Sequence, residues 1–225
     1  MVIKMYTMER LWSYFIEALK MAVFCVFTLF FSSVANASIS FDLNGEFGDF
    51  GNGISNSDLM EFDELSVATS SSGYSNYAKV VVSNSQYNQS IIEQEGGGYR
   101  SNGAVIIQSD TMNSQASIRQ DGQANLAMVK QSGHDNSANI KQHGVGHHGL
   151  VVQDGENNIA ILNQYSTAYS SYSGSDISLN QTNDNNIAFI VDGGGSNYGV
   201  NQDGGDQILI VGASNMGIYV NQTTP

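Results

Sequence analysis

Residues 125–144 read NLAMVKQSGHDNSANIKQHG, which is one pattern written twice. Asn125, Ala127, Val129, Gln131 and Gly133 form the first copy, and Asn136, Ala138, Ile140, Gln142 and Gly144 the second. Successive positions of a copy lie two residues apart, the period at which a β-strand returns to one face. Asn, Ala, the aliphatic residue and Gln therefore share a face, and Met128, Lys130, Asn139 and Lys141 take the other. The Gly, Asp, Asn and Ser between copies supply turn conformations, including positive φ. This spacing and the recurring glycine exclude a helix.

The pattern extends both ways. Gln120, Gln131, Gln142, Gln153 and Gln164 follow one another at eleven residues. Gln94 and Gln108 extend the frame upstream, and Gln181, Asp192, Gln202 and Gln222 extend it downstream of an insertion around Tyr165–Gly174. Asn102-Ala104-Ile106-Gln108 and Asn158-Ala160-Leu162-Gln164 are close copies; Asn88-Ser90-Ile92-Gln94 and His147-Gly149-Val151-Gln153 are looser. About thirteen copies run from Tyr77 to Gln222, and every glutamine of the chain lies between positions 86 and 222.

An eleven-residue strand and turn cannot bury its inner face alone. Two units make a coil of about 22 residues, and stacked coils share a continuous core. The expected fold is all-β: a β-solenoid of strand-turn-strand coils with two parallel sheets. Coils about 4.8 Å apart place each inward amide over its equivalent in the next. The amides then bond along ladders as in cross-β stacks, which answers the cost of about 1–3 kcal/mol for a lone unsatisfied buried amide. The ladder and polymerisation residues are Asn88, Gln94, Asn102, Gln108, Gln120, Asn125, Gln131, Asn136, Gln142, Gln153, Asn158, Gln164, Gln181, Gln202 and Gln222. No helical cap is evident after Met216–Gln222, so the last unit reads as a strand available for docking, and open edges template further strands.

Ahead of the repeats, Lys4, Arg10 and Lys20 flank an apolar run, Met21–Phe31, and the small residues end at Val34-Ala35-Asn36-Ala37. That is the layout of a signal peptide over residues 1–37, cut after Ala37. The run is short of the roughly 20 residues of a membrane span. The bulky Val23-Phe24 argue against lipid attachment at Cys25, and cleavage leaves a chain without cysteine. It also leaves five basic and nineteen acidic residues, net charge −14. Nucleic acid is thereby excluded as a partner, because phosphate contacts need Lys and Arg. Residues 38–76 hold seven acidic residues with abundant Gly and Ser, a composition that predicts an acidic flexible segment. Residues 77–222 are the solenoid, and 223–225 a short tail.

With Asn-x-Ala-x-x-x-Gln-x-Gly recurring at a 22-residue full period, the chain resembles the curlin family, the subunits of bacterial curli fibres. The resemblance implies an extracellular, amyloid-forming β-solenoid that serves biofilm matrix and adhesion. Implied partners are further copies of itself, a second curlin subunit, and the outer-membrane secretion channel with its accessory proteins. Phe41-Asp42-Leu43, Asp63-Glu64-Leu65-Ser66, Tyr87–Gln94 and the divergent last repeat are most like the minor, nucleating subunit. The greater length and acidity depart from it, which leaves the major fibre subunit or a monomeric solenoid adhesin as alternatives. By the same resemblance, Phe41, Phe47, Phe50 and Phe62 would be contact points for the secretion channel.

No cofactor is expected, and no nucleophile is paired with an oriented base, so the chain does not read as an enzyme. His143, His147 and His148 cluster near one turn with His134 at the preceding one, but no cysteine or fixed carboxylate completes a metal site. The glycines at 96–98 and 193–195 lack the Lys-Ser/Thr and helix of a phosphate loop. Asp121, Asp135, Asp154, Asp192 and Asp203 read as turn residues whose stacked charge would slow self-assembly.

Overall fold

The computed structural model describes residues 56–71, 75–96, 100–166 and 174–223. The signal segment, residues 38–55 with Phe41, Phe47 and Phe50, and most of the insertion after Tyr165 lie outside the described residues. Among the described residues one helix, α1 (Asn56–Ser71), precedes thirteen strands: β1 (Tyr77–Ser83), β2 (Gln89–Gly96), β3 (Gly103–Met112), β4 (Gln115–Gln123), β5 (Leu126–His134), β6 (Ser137–Val145), β7 (His148–Glu156), β8 (Ile159–Tyr165), β9 (Asp176–Thr182), β10 (Ile187–Asp192), β11 (Asn197–Asp203), β12 (Gln207–Val211) and β13 (Gly217–Thr223).

Odd-numbered strands form one seven-stranded sheet, β1-β3-β5-β7-β9-β11-β13, and even-numbered strands a six-stranded one, β2-β4-β6-β8-β10-β12. All pairings are parallel, and they hold the repeat in register: Gln94, Gln120, Gln142 and Gln164 align in one sheet, and Gln108, Gln131, Gln153 and Gln181 in the other. This is the two-sheet parallel solenoid, about six coils long, that the eleven-residue period predicts.

Between the sheets lie the Ala and aliphatic rows. Ala104, Ala127, Ala138, Ala160, Ile106, Ile140, Val151 and Leu162 are all buried in one continuous core. Ala alternates with Ile, Val or Leu along each inner face, and together these residues make up the core. Turns are made by residues just before the inward Asn position, with positive φ at Asn113, Asp135, Asn157 and Asn185. Asn and Asp tolerate that conformation better than other side chains with a Cβ. The glycine two places after Gln is required for another reason. Gly122 has φ 129° and lies against the Gly144 backbone, so that an added Cβ would sit 1.9 Å from the Gly144 oxygen.

Within the stretch whose charge predicts flexibility, residues Asn56–Ser71 form α1. No Gly or Pro interrupts this segment, and Phe62, Leu65 and Thr69 fall at helical spacing on one face. Phe62 and Leu65 pack with Val105, Leu126, Met128, Leu150 and Val152 in a second core on the outside of the seven-stranded sheet. Met128, which faces away from the inner core, is thus fully buried. Gly103 leaves room for the helix: a Cβ there would meet Thr69 Oγ1 at 2.1 Å. Lys130 Nζ reaches the Asp58 carboxylate, and it reaches Glu61 at 3.1 Å, so two acidic residues of the segment are spent on docking.

Replacing Phe62 by Ala should weaken helix docking by about 3 kcal/mol. Hydrogen exchange is expected to show lost protection over 56–71 while β5–β11 keep theirs; loss of protection throughout would show that the coils depend on the helix.

Candidate assembly site

The glutamine side chains form two unbroken runs. In the seven-stranded sheet Gln108 Nε2 donates to Gln131 Oε1 at 2.8 Å, Gln131 to Gln153 at 2.8 Å and Gln153 to Gln181 at 2.8 Å. Gln181 continues to Gln202 at 2.9 Å and Gln202 to Gln222 at 3.1 Å. In the six-stranded sheet Gln94 donates to Gln120, Gln120 to Gln142 and Gln142 to Gln164, at 2.8, 2.8 and 2.9 Å. Every bond runs from the earlier coil to the later one.

The second hydrogen of each amide does different work. Gln120 Nε2 also donates to the Gly103 carbonyl at 2.8 Å, Gln131 to Gln115 at 3.0 Å and Gln142 to Leu126 at 2.9 Å. These bonds cross from one sheet to the other. Each glutamine thereby ties its coil to the next and its sheet to the opposite one, and a buried amide with both hydrogens used costs little to bury.

The asparagines sit where the chain enters each strand, and their Oδ1 atoms accept backbone N–H groups of the following coil. Asn102 Oδ1 receives Asn125 N–H at 3.1 Å, Asn88 receives Ser114 at 3.0 Å, Asn136 receives Asn158 at 3.0 Å and Asn158 receives Asn186 at 3.0 Å. All fifteen amides expected to face inward occupy these two kinds of row.

Two rows carry substitutions. His147 holds the Asn position of its coil and is completely buried. Its N–H donates to Asn125 Oδ1 at 3.0 Å, its Nδ1 accepts from Ser175 N–H at 3.3 Å, and its Nε2 has no hydrogen-bond partner. Burial lowers its pKa to about 4, although the Asp192 carboxylate pulls the other way. Asp192 is not a turn residue: it takes the Gln position of β10 and is fully buried. It accepts from the Ser175 hydroxyl and from Gly194 N–H. The glutamine run of this sheet ends there, with Gln164 donating to the Ser175 carbonyl at 2.8 Å instead.

The clustered histidines diverge. His143 faces outward toward Asp121 at 3.1 Å, and His148 faces outward toward Asp176 at 3.0 Å and the Phe62 ring at 6.2 Å. His147 points inward between them. Among the described residues no group of three or more His, Cys, Asp or Glu could hold a metal ion.

At each end of the stack, edge strands carry the same face. β1 and β2 lie at one end and β12 and β13 at the other, unpaired on their outer side among the described residues. Val80 and Val82 of β1 are 47% and 51% exposed, against complete burial of Ile106 and Gln108, their partners one strand further in. At the other end the inward Ile208 of β12 and Ile218 and Val220 of β13 are only partly buried.

The curlin associated repeat model matches residues 111–144 and 133–165. Residues 111–165 are similar to that repeat. The coil described above continues the matched stretch in the same register to Tyr77 and to Thr223. No curated protein and no solved structure matches the chain. A repeat of this kind points to a self-assembling structural protein.

Two outcomes test the rows. Gln131→Leu leaves one hydrogen of Gln108 Nε2 and the Gln153 acceptor without partners, and urea denaturation should record a loss of about 2–4 kcal/mol. For His147, the folded-state pKa lies below the ordinary 6.5, so the protein binds fewer protons folded than unfolded. Stability is then complete above about pH 6.5 and falls by about 3 kcal/mol as pH drops toward 4. His147→Asn should remove that part of the acid dependence, and an unchanged slope would show that the imidazole titrates freely.

Proposed function

We propose that the chain is a secreted subunit of a curli-type functional amyloid, and that it acts as the minor subunit that nucleates polymerisation of a second curlin subunit. The observation that carries this reading is the state of the last rungs. Gln94 Oε1 accepts nothing among the described residues, and Gln222 spends one hydrogen on the Gln207 carbonyl, leaving the other. Each end therefore offers paired backbone and amide positions to an incoming strand of the same repeat, and main-chain bonding supplies affinity while the rows supply register.

A nucleator differs from a bulk subunit in presenting the coil before its partner has folded. Ordering the first coil of a solenoid costs backbone entropy that one coil cannot recover. A preformed stack removes that cost for every strand added to it. The core that α1 builds over the outside of the seven-stranded sheet supports such a stack in this chain. Export through the periplasm and outer membrane to a cell-surface fibre completes the reading, with residues 38–76 engaging the secretion channel.

Thioflavin kinetics distinguish the roles. At a few per cent of a second chain with the same repeats, the folded protein should abolish its lag phase. An unchanged lag with fibre formation by this chain alone would make it the bulk fibre subunit, and no fibres at any concentration would leave a monomeric adhesin.

A further inference from the structure

The described strands number thirteen, an odd count with seven in one sheet and six in the other. A second copy can continue the stack in two ways. Without rotation, its β1 lies on β13 and its β2 belongs to the other sheet one full coil later, so β12 and the incoming β2 are separated by a missing strand. With a half-turn about the stack axis, its β1 lies on β12 and its β2 on β13, and the winding proceeds without a gap. We propose that successive copies of this chain join with that half-turn, an inference resting on the polymerising reading above.

Four rows of side chains support the rotated junction. In the glutamine row, the β13 rung Gln222 meets Gln94 of the next copy, donor to acceptor, in the direction all eight internal bonds follow. Without rotation Gln222 would meet Val82, which occupies the Gln position of β1. Val82 instead falls over Gly212, which follows β12 at its Gln position and brings no amide to strand.

At the Asn position, residue 206 precedes β12 and residue 216 precedes β13. The Asp206 carboxylate has accepted only through Oδ2, from Asp203 N–H at 3.1 Å. It can receive the N–H of an incoming Asn76, as Asn186 Oδ1 receives that of Asp206 at 3.1 Å. Met216 has no oxygen to offer.

The outer faces agree. On the six-stranded sheet Phe189, Val191, Leu209 and Val211 make the last coils apolar outside. On the seven-stranded sheet the apolar outer residues are at the first coils, around Val105 and Met128, and α1 covers them. The last coils of that sheet carry outward asparagines, Asn180 donating to Asn201 and Asn201 to Asn221 at 2.8 Å. A half-turn joins the apolar outer end of one copy to the apolar outer start of the next. It also joins the asparagines to the charged start of the six-stranded sheet, where Arg119 lies 3.7 Å from Glu93. Without it, Asn221 abuts Val81 and both columns break.

Paired strands hold Cα atoms about 4.8 Å apart, within the span a disulfide bridges. The full chain with Cys25→Ser is to be prepared with Val81→Cys and Val211→Cys together, with Val81→Cys and Asn221→Cys together, and with Glu93→Cys and Asn221→Cys together. Fibres of each are oxidised and denatured without reductant. The first and third are expected to give ladders of covalent oligomers and the second at least tenfold less. A ladder from the second set, or fibres with no ladder from the first and third, overturns the half-turn and leaves polymerisation standing. No fibres from the Cys25→Ser parent overturns both.

Discussion

A carboxamide carries two donors and an acceptor that must all be used before it can be buried, and a glutamine in a lone strand has no way to use them. Stacking an identical residue above it supplies one bond, and the opposite sheet supplies another. The arrangement works only if the strands are parallel, in register and closely spaced, because the side chain has a fixed reach. From that single requirement follow the parallel pairing, the absence of register drift across most of the stack, and the glycine that lets the chain pass close to the coil beyond it. Hydrophobic burial by the Ala and aliphatic rows supplies the bulk of the driving force, but it would tolerate a slipped register. The amides do not.

The same requirement explains why departures occur where they do. Asp192 in a glutamine row cannot donate, so the row is redirected through Ser175, whose hydroxyl faces it. His147 in an asparagine row keeps the acceptor function through Nδ1 but brings a ring that must remain neutral. Both lie beside the coil with the insertion, where Gln153 and Gln181 are 28 residues apart instead of 22.

Nearly all of the inner architecture was legible, because a period of eleven with Gln at one phase leaves few ways to stack. The outer surface was not. Met128 reads as part of the face turned away from the core, and nothing in the repeat says that a helix covers it or its neighbours Leu150 and Val152. The acidic composition of residues 38–76 argued for flexibility, and it masked the spacing of Phe62, Leu65 and Thr69, which was present to be read. His147 was aligned to the correct row, yet its neighbours Gly146 and His148 made it look like one of several solvated turn residues. Composition averages over a segment, whereas burial is decided residue by residue.

Because the rungs keep the count, the arcs between strands are released from it. Coils of 20, 22, 23, 26 and 28 residues sit in one stack with their glutamines still bonded. Chain length and structural position are therefore decoupled: additions to an arc change the rim of the molecule and leave its axis untouched. For a lineage of such sequences, the arcs are free to drift in length and character while the interior remains under a strict metre.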